Sequence, residues 1–253
     1  MPGNIAATYA EPGTPKIAIE TLEVPKPGAG QVLVKMTHSG VCHSDLAVCT
    51  QAWPILPFPT QKGQVGGHEG VGEVVEHGPG VTEPKIGTRI GIKWLAEVCG
   101  SCGMNPRVTT LFTTQNTVSN SKTAIPKWHY LSTSDIKYRV SKPELIPHSL
   151  TDACLEGDDN TCTTQKISGY YTPGTFQQYV TTSAHYCTPI PDGVDSAEAA
   201  PILCAGLTVY SGLLKANTKP GDWIVISGAG GGLGKQVSVL LCYVTQLQSR
   251  LPA

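Results

Sequence analysis

The sequence predicts a mixed fold, in which an irregular β-rich part is followed by the beginning of a doubly wound α/β part. Residues 1–90 are rich in Gly and Pro and contain short runs of alternating apolar and polar residues, which is the pattern of half-buried strands. Toward the other end of the chain, an apolar run leads directly into a run of glycines. A strand, a glycine turn and a helix in that order are typical of sheets whose strands alternate with helices.

The individual elements follow from local signals. The clearest strand covers residues 31–38, where apolar and polar side chains alternate. Asp195 is expected to cap a helix that begins at Ser196, with Glu198 in its first turn. Pro201 must either distort that helix or lie in its first turn, because proline lacks the N–H that a helix interior needs. Residues 222–227 read as a buried strand, since four consecutive members are apolar.

The glycine turn after this strand predicts a phosphate site. Bare backbone N–H groups at a helix N-terminus favour an anion. In the window that ends at Gly234, however, Ala229 replaces the first glycine of the G-x-G-x-x-G pattern, unless the loop is one residue longer. A plain glycine-rich connector is the alternative, and the preceding strand favours phosphate binding. The residues expected to contact a dinucleotide are Gly228, Gly230, Gly231, Gly232, Leu233 and Gly234.

Composition excludes several classes of function. A formal net charge of −1 over 253 residues gives no electrostatic footprint for nucleic acid or an anionic membrane. No basic region followed by an apolar stretch opens the chain, and no apolar run looks long enough to span a bilayer. The cysteines number nine, an odd count, which favours reduced thiols and metal over a disulfide framework. We therefore expect a cytoplasmic protein.

Six of the cysteines fall into two sets of candidate zinc ligands. One is a four-sulfur set, and the other joins two cysteines to a histidine. Zinc held by four protein ligands is structural, whereas zinc held by three keeps a position for water or substrate. Cys42 or His68 alone would be more typical of a packed core. The four-sulfur set is Cys99, Cys102, Cys154 and Cys162. The three-ligand set is Cys42, His68 and Cys204.

Several motifs together resemble one enzyme family. They are Gly40-Val-Cys-His-Ser-Asp45, Gly66-Gly-His-Glu-Gly-Val-Gly72, Gly91-Ile-Lys-Trp94, Ser168-Gly-Tyr-Tyr-Thr-Pro-Gly-Thr-Phe-Gln-Gln-Tyr179, Pro201-Ile-Leu-Cys-Ala-Gly206 and residues 228–234. In this order they resemble the zinc-dependent alcohol dehydrogenases of the medium-chain dehydrogenase family, in particular the yeast and fungal type. The resemblance covers residues 1–102 and 152–234. It implies a GroES-like β-barrel catalytic domain followed by the first part of a Rossmann NAD-binding domain, which would be incomplete.

The resemblance also implies roles for single residues. Cys42, His68 and Cys204 would hold a catalytic zinc, and the four-cysteine set a structural one. By the same resemblance, Asp45 would orient His68, and Glu69 would approach the metal when its ligands change. Ser44 would bind the substrate oxygen and start a proton relay. His43 would contact the cofactor pyrophosphate. Ala47 departs from the family, since yeast-type enzymes often place the relay histidine there. Trp53 and Trp94 match aromatic pocket walls, although ordinary core tryptophans are the alternative.

The activity implied is oxidation of small primary alcohols such as ethanol to aldehydes, or the reverse, by hydride transfer to NAD. The acidic residue that would bind the ribose about 20 positions after the glycine turn is missing. The expectation that the cofactor is NAD therefore rests on the resemblance alone. Complete family members are homo-oligomers. We expect neither nucleic acid nor membrane as a partner.

Two stretches do not resemble the family. Cys102 and Cys154 are separated by 51 residues, and deleting residues 103–151 restores the family spacing. Gly103-Met104 can be encoded with a splice donor and Thr151-Asp152 with an acceptor, so the insert resembles a translated intron without a fold of its own. Gly234-Lys235 can also be encoded with a splice donor, so residues 235–253 resemble intron sequence too. A genuine divergent insert and tail are the alternative.

These features predict five segments and a defective product. The 253-residue chain as written is expected to be poorly soluble and inactive. A catalytically inactive zinc-binding fragment, or the unstable product of a faulty gene model, are the alternatives to an enzyme. The expected segments are residues 1–102, the first part of the catalytic domain; 103–151, the disordered insert; 152–205, the end of the structural-zinc lobe and the rest of the catalytic domain; 206–234, the start of the NAD-binding domain; and 235–253, the tail.

Overall fold

The computed structural model describes residues 3–54, 56–99, 154, 159–162, 164–216 and 223–248. The chain divides into two compact units, Met1–Gly100 with Thr164–Ala253, and Ser101–Thr163. The predicted insert, residues 103–151, lies outside the described residues. Of the second unit, the described part is Cys154 and the turn of 3₁₀ helix Asp159–Thr161 with the buried Cys162 that follows it.

The strands of the first unit form three antiparallel sheets. Strands β1 and β2 make a hairpin, β6 and β7 pair with each other, and a five-stranded sheet has the order β8-β3-β4-β5-β9. The bounds are β1 Asn4–Glu11, β2 Lys16–Leu22, β3 Gln31–Ser39, β4 Gly70–His77, β5 Arg89–Ile92, β6 Leu95–Glu97, β7 Lys166–Ile167, β8 Tyr179–Ser183 and β9 Thr188–Pro189.

The five-stranded sheet carries the main core. Val34 in the inner strand β3 pairs with Val74 on one side and Val180 on the other, and all three are almost fully buried. The predicted strand at residues 31–38 is therefore present and ends one residue later, at Ser39. Ile90 and Ile92 of β5 complete the same apolar cluster. Three consecutive residues are buried in each of β3 and β4, so both faces of the sheet are covered there.

The predicted barrel does not close among the described strands. The hairpin strand β1 meets other parts of the unit through single-residue bridges, Ala6 with Gln177 and Thr8 with Val65, rather than through a continuous ladder. A closed barrel needs every strand to be paired on both edges. The observed class is therefore a mixed α and β fold with open sheets.

Four helices complete the described part of the first unit. Helix α1 covers His43–Cys49 and α2 covers Ser196–Pro201; a π-helical segment, Ile202–Gly206, then leads into α3, Leu207–Ala216, and α4 covers Gly232–Gln248. The predicted cap is present, because the Asp195 carboxylate accepts a hydrogen bond of 2.8 Å from the Ala197 N–H. Pro201 ends α2 at the point where the π segment begins, which is the distortion that its missing N–H predicts.

The continuous helical segment Ser196–Ala216 corrects one expectation about membranes. With 21 residues, it is long and apolar enough to span a bilayer by length and composition alone. Core helices of soluble proteins meet the same criteria. Its side chains Ala199, Ala200 and Leu203 pack against Val71 of β4, so part of its apolar face has a role inside this unit.

The strand predicted at residues 222–227 is not formed in its described part. Residues 223–227 have no strand assignment, and the side chains of Trp223 and Val225 are 99% and 84% exposed. A parallel strand needs neighbours at its edges and helices on both faces. No parallel partner strand occurs in the described part of the chain, so the apolar run has nothing to pair with.

Candidate metal centre

Helix α1 places the first group of the candidate metal centre. Cys42 is its N-cap residue in extended conformation, with φ −113° and ψ 156°. Asp45, in the first turn, is buried, and its Oδ2 accepts a hydrogen bond of 2.8 Å from the Cys42 N–H. A carboxylate near a helix N-terminus satisfies an unpaired N–H and is stabilised by the helix dipole. The cap therefore fixes Cys42 and Asp45 relative to each other.

His68 is fully buried in the loop before β4. Its Nδ1 lies 2.8 Å from Asp45 Oδ1, so one carboxylate holds both the helix cap and the imidazole. A carboxylate partner of this kind fixes the tautomer and the ring orientation of a metal-binding histidine. The arrangement leaves His68 Nε2 as the free ligand atom, and this atom lies 3.3 Å from Cys204 Sγ.

The backbone next to His68 can be occupied only by glycine. Gly67 has φ +96°, and a Cβ on Gly66 would lie 2.2 Å from the Tyr9 hydroxyl. A second segment crosses this loop closely, because a Cβ on Gly174 would lie 2.2 Å from the Gly66 carbonyl oxygen. The N–H of Thr175 donates to the Gly67 carbonyl at 3.1 Å. Close packing of two backbones therefore sets the position of His68.

The π-helical segment supplies the last sulfur. Cys204 lies at its centre, and its Sγ is 4.0 Å from Cys42 Sγ. Four candidate ligand atoms lie within 4.8 Å of one another, one each from Cys42, His68, Glu69 and Cys204. Single π turns inside α-helices are frequent at functional sites, since the extra residue redirects side chains. Residues that are 162 positions apart in sequence thus meet at one point.

Burial shapes the electrostatics of this cluster. Desolvation raises the pKa of the Cys204 thiol, and the neighbouring Cys42 and Glu69 raise it further. Desolvation also raises the pKa of Glu69, although His68 and hydrogen bonds to the two thiols act in the opposite direction. A buried group of this kind avoids carrying an unpaired negative charge. A bound cation would offset that cost and displace the thiol protons.

The chemistry of the donors fits zinc. Two sulfurs and one imidazole nitrogen match the ligand set of a three-ligand zinc site, which keeps one position for substrate. Thiolate and imidazole also select zinc over magnesium or calcium, which prefer oxygen ligands. The Glu69 carboxylate is the nearest candidate for the remaining position.

The other predicted residues of α1 lie at its exposed start. The Cys42 thiol lies 3.6 Å from the hydroxyl oxygen of Ser44, which is half-buried. His43 is exposed, whereas Ala47 is buried and contributes to the core. The helix therefore brings the Ser44 hydroxyl beside the sulfur cluster and leaves His43 facing solvent.

Both predicted tryptophans lie beside the cluster. The Trp94 ring packs edge-on against the His68 imidazole, with 4.9 Å between ring centroids and 83° between ring planes. Trp53 in turn packs edge-on against Trp94, with centroids 5.8 Å apart. Edge-to-face pairs at these distances are favourable aromatic contacts. The two rings form an apolar wall next to the candidate ligands.

The glycine turn forms the start of helix α4. Gly228 has φ +69° and its carbonyl accepts a 2.9 Å hydrogen bond from the Gly231 N–H. A Cβ on Gly234 would lie 2.3 Å from the Gly228 carbonyl oxygen, so that position requires glycine. The surrounding residues Gly230 and Gly232 are exposed, and Leu233 is 52% exposed. The turn and a helix N-terminus are thus open to solvent, as a phosphate site requires.

Comparisons with known proteins identify the family. Residues 28–118 match the alcohol dehydrogenase GroES-like domain, a range that runs past the predicted boundary at residue 102. Alcohol dehydrogenase 2 of Emericella nidulans is 47% identical over 231 residues, which cover 90% of this chain and 50% of that protein. The alcohol dehydrogenase of Schizosaccharomyces pombe is 34% identical over 232 residues, or 91% of this chain and 51% of that protein.

Over about nine tenths of its length, the chain is similar to medium-chain alcohol dehydrogenases of the fungal type. It spans about half the length of the curated relatives it matches. A solved structure agrees in fold: acetophenone reductase from Geotrichum candidum in complex with NAD has a TM-score of 0.67 and 27% identity, over 96% of this chain and 56% of that one.

The second cysteine set remains a prediction. Cys102 lies outside the described residues. Cys99 belongs to the first unit, whereas Cys154 and Cys162 belong to the second. Within their own unit, Cys154 Sγ and Cys162 Sγ lie within 4.8 Å of one another. That distance is compatible with shared ligation of one ion by these two cysteines.

Sequence reasoning missed two contacts of the candidate metal centre. The packing of Trp94 on His68 and the crossing of Gly174 over the Gly66 backbone are both long-range. The sequence contained only one hint of the crossing, the glycines at residues 66, 67, 169 and 174. Glycines far apart in a chain are compatible with a close approach of two backbones, but they do not show which ones meet.

Changing the charge behind His68 is expected to weaken metal binding. Asp45→Asn keeps the shape of the side chain but removes the charge that orients the imidazole and stabilises its metal-bound form. We expect zinc affinity to fall roughly 10–100-fold, the usual effect of losing such a partner. Competition with a chromogenic chelator measures this. Asp159→Asn, in the other unit, is the control, and equal affinities of the Asp45 variant and the parent would contradict the orienting role.

Proposed function

We propose that this chain carries the catalytic metal site of a zinc- and NAD-dependent alcohol dehydrogenase. The reaction is oxidation of small primary alcohols such as ethanol to aldehydes, or the reverse. The observation that carries the proposal is the cluster of Cys42, His68, Glu69 and Cys204, whose ligand atoms lie within 4.8 Å of one another. The alcohol dehydrogenases of Emericella nidulans and Schizosaccharomyces pombe support the same chemistry.

The ligand residues have separate tasks in this proposal. Cys42, His68 and Cys204 hold the zinc, which when bound stabilises negative charge on the oxygen of the alcohol. Asp45 keeps His68 in the tautomer that offers Nε2 to the metal. The Glu69 carboxylate lies beside both thiols, and burial raises its pKa, so its negative charge is favoured only when a cation is bound. The burial of His68 and Glu69 excludes water from the inner side of the site.

Ser44 hydrogen-bonds the alcohol oxygen and relays its proton, because the hydroxyl releases its own proton toward solvent as it takes up that of the alcohol. Its hydroxyl lies at the half-buried start of α1 beside the Cys42 sulfur, and a hydroxyl both accepts and donates protons. Ala47 has no group that continues the relay, so His43 at the exposed end of the same helix is the nearest ionisable side chain of α1 toward solvent. We propose that His43 also contacts the pyrophosphate of the cofactor.

NAD supplies the hydride acceptor when bound. Its pyrophosphate would contact the backbone of Gly228, Gly230, Gly231, Gly232, Leu233 and Gly234. The exposed turn with φ +69° at Gly228 and the 17-residue helix α4 behind it provide N–H groups and a favourable dipole. The reductase from Geotrichum candidum, which resembles this chain in fold, was solved with NAD.

The decisive experiment follows alcohol-dependent formation of NADH. The transcript is sequenced across codons 103, 152 and 234, and both its protein product and the 253-residue chain are purified with zinc. The product of the transcript is expected to form NADH with ethanol, and its Ser44→Ala variant to lose most of that rate while retaining zinc. If the zinc-loaded protein forms no NADH with any short alcohol, the proposed function is wrong.

Widening the aromatic wall is expected to change which alcohols are used. Trp53→Ala or Trp94→Ala opens space beside the cluster, and an apolar pocket discriminates by roughly 1–3 kcal/mol per methylene. The ratio of kcat/KM for hexanol to that for ethanol should therefore rise by about 10-fold or more. Trp223→Ala, at a fully solvent-facing position, is the control. A ratio that stays constant in both wall variants would refute the pocket assignment.

A further inference from the structure

The turn that follows strand β7 contacts the backbone behind Trp94. Ser168 in this turn is buried; its N–H donates to the Trp94 carbonyl at 2.9 Å, and its hydroxyl donates to the Lys93 carbonyl at 2.7 Å. Two hydrogen bonds from one buried residue therefore hold the chain at Trp94. Buried polar groups satisfied in this way restrain the backbone, because breaking either bond leaves an unpaired group.

Two residues later, the same turn holds the loop of the other tryptophan. The Tyr170 hydroxyl accepts a 2.8 Å hydrogen bond from the Phe58 N–H and donates one of 2.6 Å to the Phe58 carbonyl. Both bonds are of normal, strong geometry for their donor types. One side chain thus satisfies the donor and the acceptor of a single backbone residue 112 positions away.

The loop needs such a tether. Residues 53–59 include prolines at 54, 57 and 59, which have no N–H to donate. The Phe58 side chain is 63% exposed, so its packing contributes little to holding the loop. One internal bond, from the Leu56 N–H to the Trp53 carbonyl at 3.2 Å, shapes the segment that carries Trp53.

The turn itself is fixed against the metal centre. Gly169 has φ +77°, and a Cβ there would lie 2.9 Å from the backbone nitrogen and oxygen of Gly67, the neighbour of His68. The Gln64 side-chain amide donates to the Gly169 carbonyl at 2.7 Å and to the Tyr170 carbonyl at 3.1 Å. The base of Tyr170 is therefore held on the loop that carries a candidate ligand, while its hydroxyl reaches the loop that carries Trp53.

We propose that Tyr170 is a positioning residue that fixes the Trp53 loop relative to Trp94 and His68, and so sets the width of the site in front of the metal ligands. The link to alcohol size rests on the proposed function. Without the hydroxyl, the loop loses its two bonds at Phe58 and Trp53 moves more freely away from Trp94. Longer alcohols then fit, although no side chain in contact with them has changed.

The test removes the hydroxyl alone. Tyr170→Phe keeps the ring, which packs with Leu56 and Trp94 around Tyr9. The matched control is Tyr171→Phe, because Tyr171 is adjacent, more exposed, and in edge-on contact with Tyr170. Hydrogen exchange of the Phe58 amide is measured in the full chain, and we expect it to accelerate roughly 3–10-fold in Tyr170→Phe, the effect of losing one or two net hydrogen bonds. Tyr171→Phe should exchange as the parent does.

A second measurement separates positioning from plain stability. In the protein that oxidises ethanol, the hexanol-to-ethanol ratio of kcat/KM should rise roughly 3–10-fold in Tyr170→Phe and stay constant in Tyr171→Phe, as a change in pocket width predicts. Unchanged exchange at Phe58, or faster exchange with an unchanged ratio, overturns the proposal. A protein that oxidises no alcohol refutes the proposed function instead, and the exchange result then decides by itself whether Tyr170 fixes the loop.

Discussion

Replacing Cys42 by serine is expected to reduce bound zinc by about one ion per chain and to abolish alcohol oxidation. A serine hydroxyl remains protonated at neutral pH, so the site loses one of its two thiolates and much of the charge that compensates the cation. A residue that binds the metal directly contributes more to zinc affinity than one that only orients a ligand. The loss of zinc affinity should therefore exceed the roughly 10–100-fold loss expected for Asp45→Asn. Zinc per chain is measured by mass spectrometry of purified protein after dialysis.

The matched control for this substitution is Cys187→Ser. Cys187 is also partly buried, but its thiol donates to the Ala184 carbonyl at 3.3 Å and packs beside the core of the five-stranded sheet. Its replacement should leave the zinc content unchanged. Equal zinc content of the Cys42 variant and the parent would show that the cluster is not the metal site.

Gly174→Ala is expected to destabilise the first unit strongly and to displace His68. The added Cβ would lie 2.2 Å from the Gly66 carbonyl oxygen and 2.3 Å from that of Gly67, and backbone atoms cannot rotate away as a side-chain end can. Overpacking typically costs about 1–3 kcal/mol of the free energy of unfolding, and a clash with backbone atoms should fall at the upper end of that range. Denaturant unfolding followed by circular dichroism measures this loss, and zinc affinity should fall in parallel.

Gly193→Ala provides the comparison for that result. Nothing lies within 4 Å of a Cβ at Gly193 and its φ is not positive, so alanine fits there without strain. The stability of this variant should stay within about 0.5 kcal/mol of the parent, as at other permissive surface sites. If both alanine variants unfold at the same denaturant concentration, the two backbones do not cross as closely as described.

Sequence signals within a few residues predicted the elements that local interactions stabilise. Strand β3 was predictable from its local run of strand-forming residues, although the three consecutive side chains Val32, Leu33 and Val34 are all buried. The start of α2 was predictable because the Asp195 carboxylate accepts a hydrogen bond from an N–H two residues away. Pro201 also acts locally, since it ends the α-helical hydrogen bonding just before the π segment. Each of these predictions needs only residues within one or two turns.

The predicted strand at residues 222–227 was wrong in its described part because strands are not local. Its four apolar residues have strand propensity, but a strand becomes stable only when neighbours satisfy its backbone and helices cover its faces. Trp223 and Val225 are instead among the most exposed side chains in the described part of the chain. Propensity without a partner therefore did not produce the element.

The sequence by itself determined the chemistry of the candidate site. The types of its residues, two thiols, an imidazole and two carboxylates, already restrict the metal to one that prefers sulfur and nitrogen, because ligand softness is a property of the side chain alone. The glycines that permit tight backbone turns are likewise visible in the sequence.

Only the tertiary structure decided which of these groups meet and in what geometry. Cys42, His68 and Cys204 come from a helix cap, a buried loop and a π-helical segment, and their convergence depends on the packing of Gly66 and Gly67 against Gly174. Phe58, in the Trp53 loop, likewise accepts a hydrogen bond from a hydroxyl 112 residues away. Contacts between distant residues depend on how the whole chain packs, and no pattern within a short window of sequence contains that information.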